Sequence, residues 1–252
     1  MKVMKYMKLL GTGFSGSTYL VKMNGKEYAL KIQHVLEKDL FNKKSQIWNE
    51  IKFYKYVSDY YPLFKKFYSY KIITDCDFRK NNKSIGLTVS NSAKNKYKKL
   101  QESKFCIEYL TSYENNALDN ILDKLTVKQI YSLILQLLFG IKILQKKKYT
   151  HNDLNIYNIT YNKTKKKYIT IKINNKKYKI LIYNYIYTII DYGAVKIQPK
   201  KFNKSQDINN LIHNIEKYWV KYCKIIKKED INYMKENSNN INKLIKYFQK
   251  NS

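Results

Sequence analysis

The residues with the clearest chemical potential lie between His151 and Ile159, a stretch that reads His-Asn-Asp-Leu-Asn-Ile-Tyr-Asn-Ile. It places a carboxylate, Asp153, five residues before a carboxamide, Asn158. In phosphoryl transfer, an Asp so placed orients or deprotonates the accepting hydroxyl, and an Asn five residues later holds a metal ion on the phosphates. Because short polar motifs recur by chance, this interpretation depends on partners elsewhere in the chain.

A glycine-rich stretch near the N-terminus is one such partner. Gly11, Gly13 and Gly16 are flanked by β-forming residues, and an Asn-Gly pair at 24–25 precedes the β-rich segment 27–32. This order predicts strand, glycine loop, strand, tight turn and strand. Glycines allow a backbone to approach phosphate oxygens closely. A dinucleotide-binding loop contains the same letters, but a helix would then follow it directly.

With a third element, Asp191-Tyr192-Gly193, the chain resembles the protein-kinase superfamily from about Leu9 to about Leu211. The strand ending in Ala29-Leu30-Lys31 follows the glycine loop as it does in that family. The resemblance implies an α+β, bilobal, kinase-like fold. Residues 1–110 would form a β-rich N-lobe with one main helix. Residues 111–252 would form a mainly helical C-lobe with a reduced activation segment.

The resemblance also implies a role for each matching residue, with ATP and Mg²⁺ as cofactors. Lys31 would hold the α- and β-phosphates and pair with Glu50, which lies in a helical pattern from about residue 43 to 56. Asp153 would be the catalytic base or hydroxyl orienter, and Asn158 and Asp191 the metal ligands. The backbone of residues 108–110 would hydrogen-bond the base, behind which Ile107 would lie. The implied ATP-binding residues are Gly11, Gly13, Phe14, Gly16, Ala29, Lys31, Ile107, Glu108 and Leu110.

The chain also departs from the protein-kinase pattern. Asn152 replaces the usual Arg beside the catalytic Asp, and Asn155 stands where Ser/Thr kinases carry a Lys. No Ala-Pro-Glu motif follows Val195, although Asp207 could begin the helix whose Asp steadies the catalytic loop in kinases. Before Asp191 an unusually long segment predicts an inserted hairpin that turns at an Asn-Asn pair, 174–175. A similar enlarged segment occurs in the Ser/Thr kinases of large DNA viruses such as poxviruses.

Three functions are compatible with these features. The glycine loop and Glu50 favour a protein kinase that phosphorylates Ser or Thr. The His-Asn-Asp sequence and the missing Ala-Pro-Glu also fit a small-molecule kinase of the choline or aminoglycoside type, which would need larger helical inserts. Asn155 and the short substrate region fit a catalytically weak pseudokinase or binding module with a basic surface.

The composition of the chain adds expectations about its partners and its cellular compartment. The 252 residues carry a formal net charge of +30, almost all of it from Lys, with Arg79 as the single arginine. A very AT-rich coding sequence produces such a composition, and a selected affinity for acidic partners is the alternative explanation. Either explanation predicts weak, non-specific nucleic-acid binding. Cys76, Cys106 and Cys223 are widely spaced, show no metal-ligand pattern and indicate a reducing compartment. No signal-peptide pattern opens the chain, and the apolar segment 130–144 is short for a membrane span. We therefore expect a cytoplasmic protein, in the host cell or the virion if it is viral.

Overall fold

The structure is a computed structural model that describes residues 4–12, 16–74, 76, 99–100, 102–114, 116–197, 202–219 and 226–251. The chain mixes helices with antiparallel sheets and divides into two compact units. The first unit comprises residues 1–52 and 67–113, and the second comprises 53–66 and 114–252. The main division lies close to the boundary expected at residue 110, but segment 53–66 groups with the second unit.

The first unit is built on a five-stranded antiparallel sheet with the order β1-β2-β3-β5-β4. Asn24 and Gly25 connect β2 to β3 with φ angles of 50° and 76°, which is the left-handed geometry of a two-residue hairpin turn. The predicted strand, turn and strand are therefore present. The strands are β1 Lys5–Thr12, β2 Gly16–Met23, β3 Lys26–Val35, β4 Phe67–Ile73 and β5 Phe105–Ser112.

Two helices, α1 Glu37–Phe41 and α2 Gln46–Val57, follow β3. The second is the helix predicted over residues 43–56, and it buries Ile47 and Ile51, one turn apart. The division between the units falls within α2, after Lys52. Most of the segment 75–101, expected to be a loop or ragged hairpin, lies outside the described residues.

In the second unit the core element is α3, Val127–Lys146, whose Thr126 and Gln129 form a reciprocal capping box. It is the one helix of the described ranges that is long and apolar enough to cross a membrane. The apolar segment 130–144 lies within this 20-residue helix, so length alone does not exclude a membrane span, but a single helix of this kind is no clear transmembrane segment. In addition, 78% of its most apolar window is buried inside the protein, as in the core helix of a soluble domain.

Short antiparallel sheets surround α3. Strands β6, β8 and β11 form one sheet, β9 pairs with β10, and β12 pairs with β7. The β9–β10 pair is the predicted inserted hairpin, and Asn174 and Asn175 form its turn with φ angles of 50° and 62°. The strands are β6 Asn116–Ala117, β7 Tyr149–Thr150, β8 Ile159–Lys163, β9 Tyr168–Ile173, β10 Lys176–Leu181, β11 Tyr185–Ile189 and β12 Lys196–Ile197.

Three α-helices and a π-helical turn, Ile215–Trp219, complete the described part of the second unit. The α-helices are α4 Gln206–Asn214, α5 Lys228–Glu236 and α6 Ile241–Asn251. The buried carboxylate of Asp230 in α5 accepts hydrogen bonds of 2.6 Å from the hydroxyls of Tyr131 in α3 and Tyr247 in α6. The buried carboxylate of Asp230 therefore connects α3, α5 and α6.

Candidate active site

Lys31 and Glu50 form the ion pair that the resemblance to protein kinases implies. The Lys31 Nζ lies 3.0 Å from the Glu50 Oε1, and the side-chain exposures are 17% and 1%. Lys31 lies in β3, and Glu50 lies on the buried face of α2. A carboxylate this deeply buried needs a charged partner, so the pair fixes where the Lys31 ammonium can lie. The Lys31 side chain as a whole remains partly accessible to solvent.

The glycine loop joins two strands, because β1 ends at Thr12 and β2 begins at Gly16. This arrangement contradicts the dinucleotide-binding alternative, which requires a helix directly after the loop. A Cβ atom on Gly16 would overlap the carbonyl of Ile32 and lie 2.7 Å from the Cα of Gln33. Gly16 is thus required by close strand packing, while a Cβ on Gly11 would meet nothing within 4 Å. Gly13 and Phe14 lie outside the described residues.

Strand β5 continues beyond the residues expected to hydrogen-bond a base. Glu108 and Leu110 each pair with β3 on one side and with β4 on the other. A central strand uses its backbone groups in both ladders, so this backbone is not open to a ligand. The structure therefore corrects the expected hinge at 108–110, since pairing with β4 ends only at Thr111. Ala29 and Ile107 are both buried within the sheet.

In the second unit Asp207 anchors the loop that follows β7. Its buried carboxylate accepts hydrogen bonds from the backbone N–H of His151, at 2.9 and 3.1 Å, and from that of Asn152, at 3.0 Å. Asp207 belongs to the first turn of α4, as the sequence indicated. Burial raises the pKa of Asp207 above its ordinary value of 3.8, against the lowering effect of these hydrogen bonds. The loop is therefore held by its backbone, which leaves its side chains available for chemistry.

Asn152 occupies the position where the protein-kinase pattern has an arginine. Its φ of 63° is left-handed, a conformation that Asn tolerates better than most residues. Its side-chain amide donates a 2.9 Å hydrogen bond to the carbonyl of Ala194, and its side-chain oxygen accepts one from Gln206. A neutral amide thus connects the loop to the segment after Asp191 without the charge that an arginine would supply.

The carboxylate of Asp153 is exposed and oriented by two amides. Asn155 donates to its Oδ1, and Asn158 donates to its Oδ2, both at 2.7 Å. Asn158 also donates to the backbone carbonyl of Asp153 at 2.8 Å. Asn155 was recognised from the sequence only as a departure, and the structure shows that it orients the candidate base. The Lys that Ser/Thr protein kinases carry at this position would bring a positive charge for a substrate phosphate. Asn155 is neutral and brings none.

The backbones of Asn158 and Asp191 are close because β8, which follows Asn158, pairs with β11, which precedes Asp191. Ile189 pairs with Ile159 across β11 and β8, and the N–H of Ile190 donates to the carbonyl of Asn158 at 2.9 Å. Asp191 has a left-handed φ of 56°, and its Oδ1 accepts a 3.3 Å hydrogen bond from the N–H of Gly193. This unusual backbone conformation sets an exposed carboxylate at the end of a buried strand, the kind of strain found at functional sites.

Asn158 and Asp191 are suitable in type for Mg²⁺. This ion prefers a sparse set of oxygen ligands, completed by water and substrate phosphates. The amide nitrogen of Asn158 is directed at Asp153, so its Oδ1 is the side-chain atom that could ligate a cation. Asp191 supplies a carboxylate one residue after Ile190, whose backbone N–H donates to the carbonyl of Asn158. The donor set therefore fits the expected metal, and neither residue is a soft ligand that would favour a transition metal.

His151 is completely buried and belongs to the scaffold of the site. Its Nε2 lies 3.1 Å from the carbonyl of Ile190, and because a carbonyl only accepts, Nε2 carries the proton. Burial lowers the pKa of His151 below 6.5, although Asp207, Asp191 and Asp153 act in the opposite direction. A neutral imidazole therefore links the loop to the strand that leads into Asp191.

Tyr192, between Asp191 and Gly193, contributes in a way that the sequence did not predict. Its buried ring contacts the rings of Phe53 and Tyr54, with centroid separations of 4.8 and 4.7 Å. Its hydroxyl donates to the carbonyl of Ile189 at 2.8 Å and accepts from the N–H of Lys65 at 3.1 Å. This packing holds the residue after Asp191 in place, which restricts the carboxylate. An aromatic residue between Asp and Gly was the only sequence signal.

Two of the three cysteines are paired, which differs from the reduced thiols that the expected reducing compartment implies. Cys76 and Cys106 form a disulfide with a Cα–Cα distance of 5.7 Å. The Nδ1 of His34 lies 3.4 Å from the Sγ of Cys106. Sequence spacing could not reveal this cluster, because it is assembled by the order of strands in the sheet.

No family model matches the chain, and no match was found among curated proteins either. The resemblance to protein kinases therefore depends on the residues themselves and on the geometry described above.

Proposed function

We propose that this chain is an ATP- and Mg²⁺-dependent phosphotransferase, and specifically a protein kinase that transfers the γ-phosphate of ATP to Ser or Thr hydroxyls. The observation that carries the proposal is the arrangement of Asp153, Asn158 and Asp191. A carboxylate oriented by amides lies next to a carboxamide and a second carboxylate at the ends of paired strands. The buried Lys31–Glu50 pair supports it independently.

Each residue then has a distinct task. Asp153 orients the accepting hydroxyl and takes its proton as the oxygen bonds to the γ-phosphorus and ADP leaves. Lys31 neutralises charge on the nucleotide phosphates, and Glu50 holds its ammonium in one position. Asn158 and Asp191 hold Mg²⁺, which neutralises charge on the phosphates when bound. Asp207 and His151 position the loop without touching substrate.

A pseudokinase is the second candidate, and one observation favours it. Both carboxylate oxygens of Asp153 accept hydrogen bonds from amides, and Asn155 supplies no positive charge for a substrate phosphate. Such a site could bind a nucleotide and transfer phosphate slowly or not at all. Nucleotide binding and phosphate transfer must therefore be measured separately.

The test is an assay with radiolabelled ATP and Mg²⁺ on the purified chain, offered both basic and acidic Ser/Thr proteins. Asp153→Asn and Lys31→Met should each abolish labelling of Ser and Thr. The matched controls are Asp119→Asn and Lys26→Met, which change exposed residues, the second of them in the same strand as Lys31. Both controls should retain the activity of the unmodified chain.

A thermal-shift measurement with ATP and Mg²⁺ separates the alternatives. Stabilisation by ATP without protein labelling would support the pseudokinase, and transfer to a small alcohol would support the small-molecule kinase. If ATP and Mg²⁺ neither bind nor react, the proposal of a phosphotransferase is overturned.

A further inference from the structure

The sheet of the first unit assembles a second cluster with its own chemistry. The chain contains three cysteines and three histidines, and Cys76, Cys106 and His34 lie together. Their ligand atoms all lie within 4.8 Å of one another. This convergence is independent of the proposed phosphotransfer residues.

Backbone pairing fixes the positions of all three residues. His34 in β3 is directly opposite Cys106 in β5, and Cys106 is also opposite Ile73 in β4. Beyond the end of β4, the N–H of Cys76 donates to the carbonyl of Lys104 at 2.8 Å. The cluster therefore draws on two paired strands, β3 and β5, and on Cys76, which a backbone hydrogen bond holds beside β5.

The distances suit a tetrahedral metal ion. With a metal–sulfur bond of about 2.3 Å and a metal–nitrogen bond of about 2.05 Å, the edge between sulfur and nitrogen is about 3.5 Å. The observed separation of His34 Nδ1 from Cys106 Sγ is 3.4 Å. Cys76 is only partly buried, so water can reach a fourth coordination position beside it.

The charge balance also suits this environment. Cys106 belongs to a buried apolar cluster with Val21, Leu30 and Ile32. Two thiolates and one neutral imidazole around a divalent cation give a site with no net charge, which limits the cost of burial. A plain disulfide in an apolar core would need no imidazole beside it.

We propose that the reduced chain binds one zinc ion through Cys76, Cys106 and His34, and that the disulfide is the metal-free, oxidised state of the same site. A dithiol or phosphine reductant supplies two electrons, the S–S bond breaks, and each sulfur becomes a thiol. Coordination of Zn²⁺ then displaces both thiol protons to the buffer. In the reverse direction a small disulfide oxidant, such as oxidised glutathione, accepts two electrons from the zinc-bound thiolates and, with two protons from the buffer, leaves as two thiols. The Cys76–Cys106 S–S bond re-forms and Zn²⁺ is released, so the site couples metal occupancy to redox state.

Co²⁺ is the probe for this site, since it replaces Zn²⁺ and its thiolate complexes absorb light. The full chain, reduced with a phosphine and handled without oxygen, is titrated with Co²⁺ and then with Zn²⁺. We expect one equivalent to give a thiolate-to-metal band and tetrahedral visible bands, which Zn²⁺ then bleaches. His34→Ala should weaken Co²⁺ binding by at least about tenfold, the loss that even outer-sphere partners cause. Cys106→Ser should abolish the thiolate band, and Cys223→Ser, which removes the third cysteine, should leave it unchanged.

Alkylation of the unmodified chain provides a test that does not depend on a variant folding. Bound Zn²⁺ should protect Cys76 and Cys106 from a thiol reagent, as measured by mass spectrometry of the peptides, and should leave Cys223 unaffected. A reduced chain that neither binds Co²⁺ nor gains protection would establish a structural disulfide only. Binding that survives removal of both Cys76 and Cys106 would equally overturn the proposal.

Discussion

The two units hold their candidate catalytic charges by different means. In the first, Lys31 forms an ion pair with a glutamate that is almost completely buried. In the second, Asp153 is exposed and is oriented by two amides on a loop anchored by Asp207. The first arrangement uses a buried ion pair, and the second uses several hydrogen bonds to neutral groups. We therefore expect the loss of unfolding free energy and the loss of phosphotransfer activity to be related differently for substitutions in the two units.

The largest effect is expected for Asp153→Asn. Loss of a positioned general base lowers phosphotransfer by about 10²- to 10⁴-fold. Because Asp153 is exposed, and the Asn oxygen can still accept one of the two amide hydrogen bonds, the free energy of unfolding should hardly change. Steady-state kinetics and urea denaturation of the same preparation measure the two quantities. A fall in stability that matched the loss of activity would contradict the assigned role.

Asp207→Ala should reduce stability and activity together. The substitution leaves the buried N–H groups of His151 and Asn152 without their acceptor, at a cost of about 1–3 kcal/mol each. We expect a clear loss of unfolding free energy in urea, together with loss of phosphotransfer as the loop shifts. Asp207→Asn keeps one acceptor oxygen and should be intermediate. If Asp207→Ala unfolds like the unmodified chain, the loop is not held by this carboxylate.

Glu50→Gln tests the buried ion pair between Lys31 and Glu50 in the first unit. The amide can still accept a hydrogen bond from Lys31, but the ion pair between the two side chains is lost. Since Lys31 is partly exposed, its ammonium can turn toward water, and the expected cost is about 1–3 kcal/mol, below the full penalty for a buried lone charge. The KM for ATP should rise more than kcat falls. Exposed Glu27 in β3 gives the control, Glu27→Gln, which should change neither value.

Much of this architecture was predictable from the sequence because its signals are local. The Asn-Gly pair at 24–25 and the Asn-Asn pair at 174–175 specify tight turns, and both hairpins form. The ion pair of Lys31 and Glu50 was expected from the resemblance to protein kinases, and it is present. The cluster of His34, Cys76 and Cys106 was not predictable, because the pairing of β3 with β5 is what brings His34 next to Cys106. The extension of β5 was missed for the same reason, since strand ends depend on partners that are distant in the chain.

The smallest expected effect is a pH dependence of stability that comes from His151. Folding lowers the pKa of His151 below 6.5, mainly by burial, so the unfolded chain binds a proton more readily than the folded chain. Stability should therefore fall as the pH drops through about 6.5, with a slope of up to about 1.4 kcal/mol per pH unit. Asp207 acts in the opposite sense, because its pKa is raised and its protonation on acidification favours the folded state.

The His151 contribution can be isolated with a variant. Urea denaturation between about pH 7.5 and pH 5.5, a range that brackets the ordinary histidine pKa, gives the slope for each protein. His151→Gln should flatten it, because Gln does not titrate but can still donate to the carbonyl of Ile190. The exposed His213→Gln is the control and should keep the slope of the unmodified chain. An unchanged slope in His151→Gln would mean that another group links protonation to folding, and that the imidazole is not held neutral by burial.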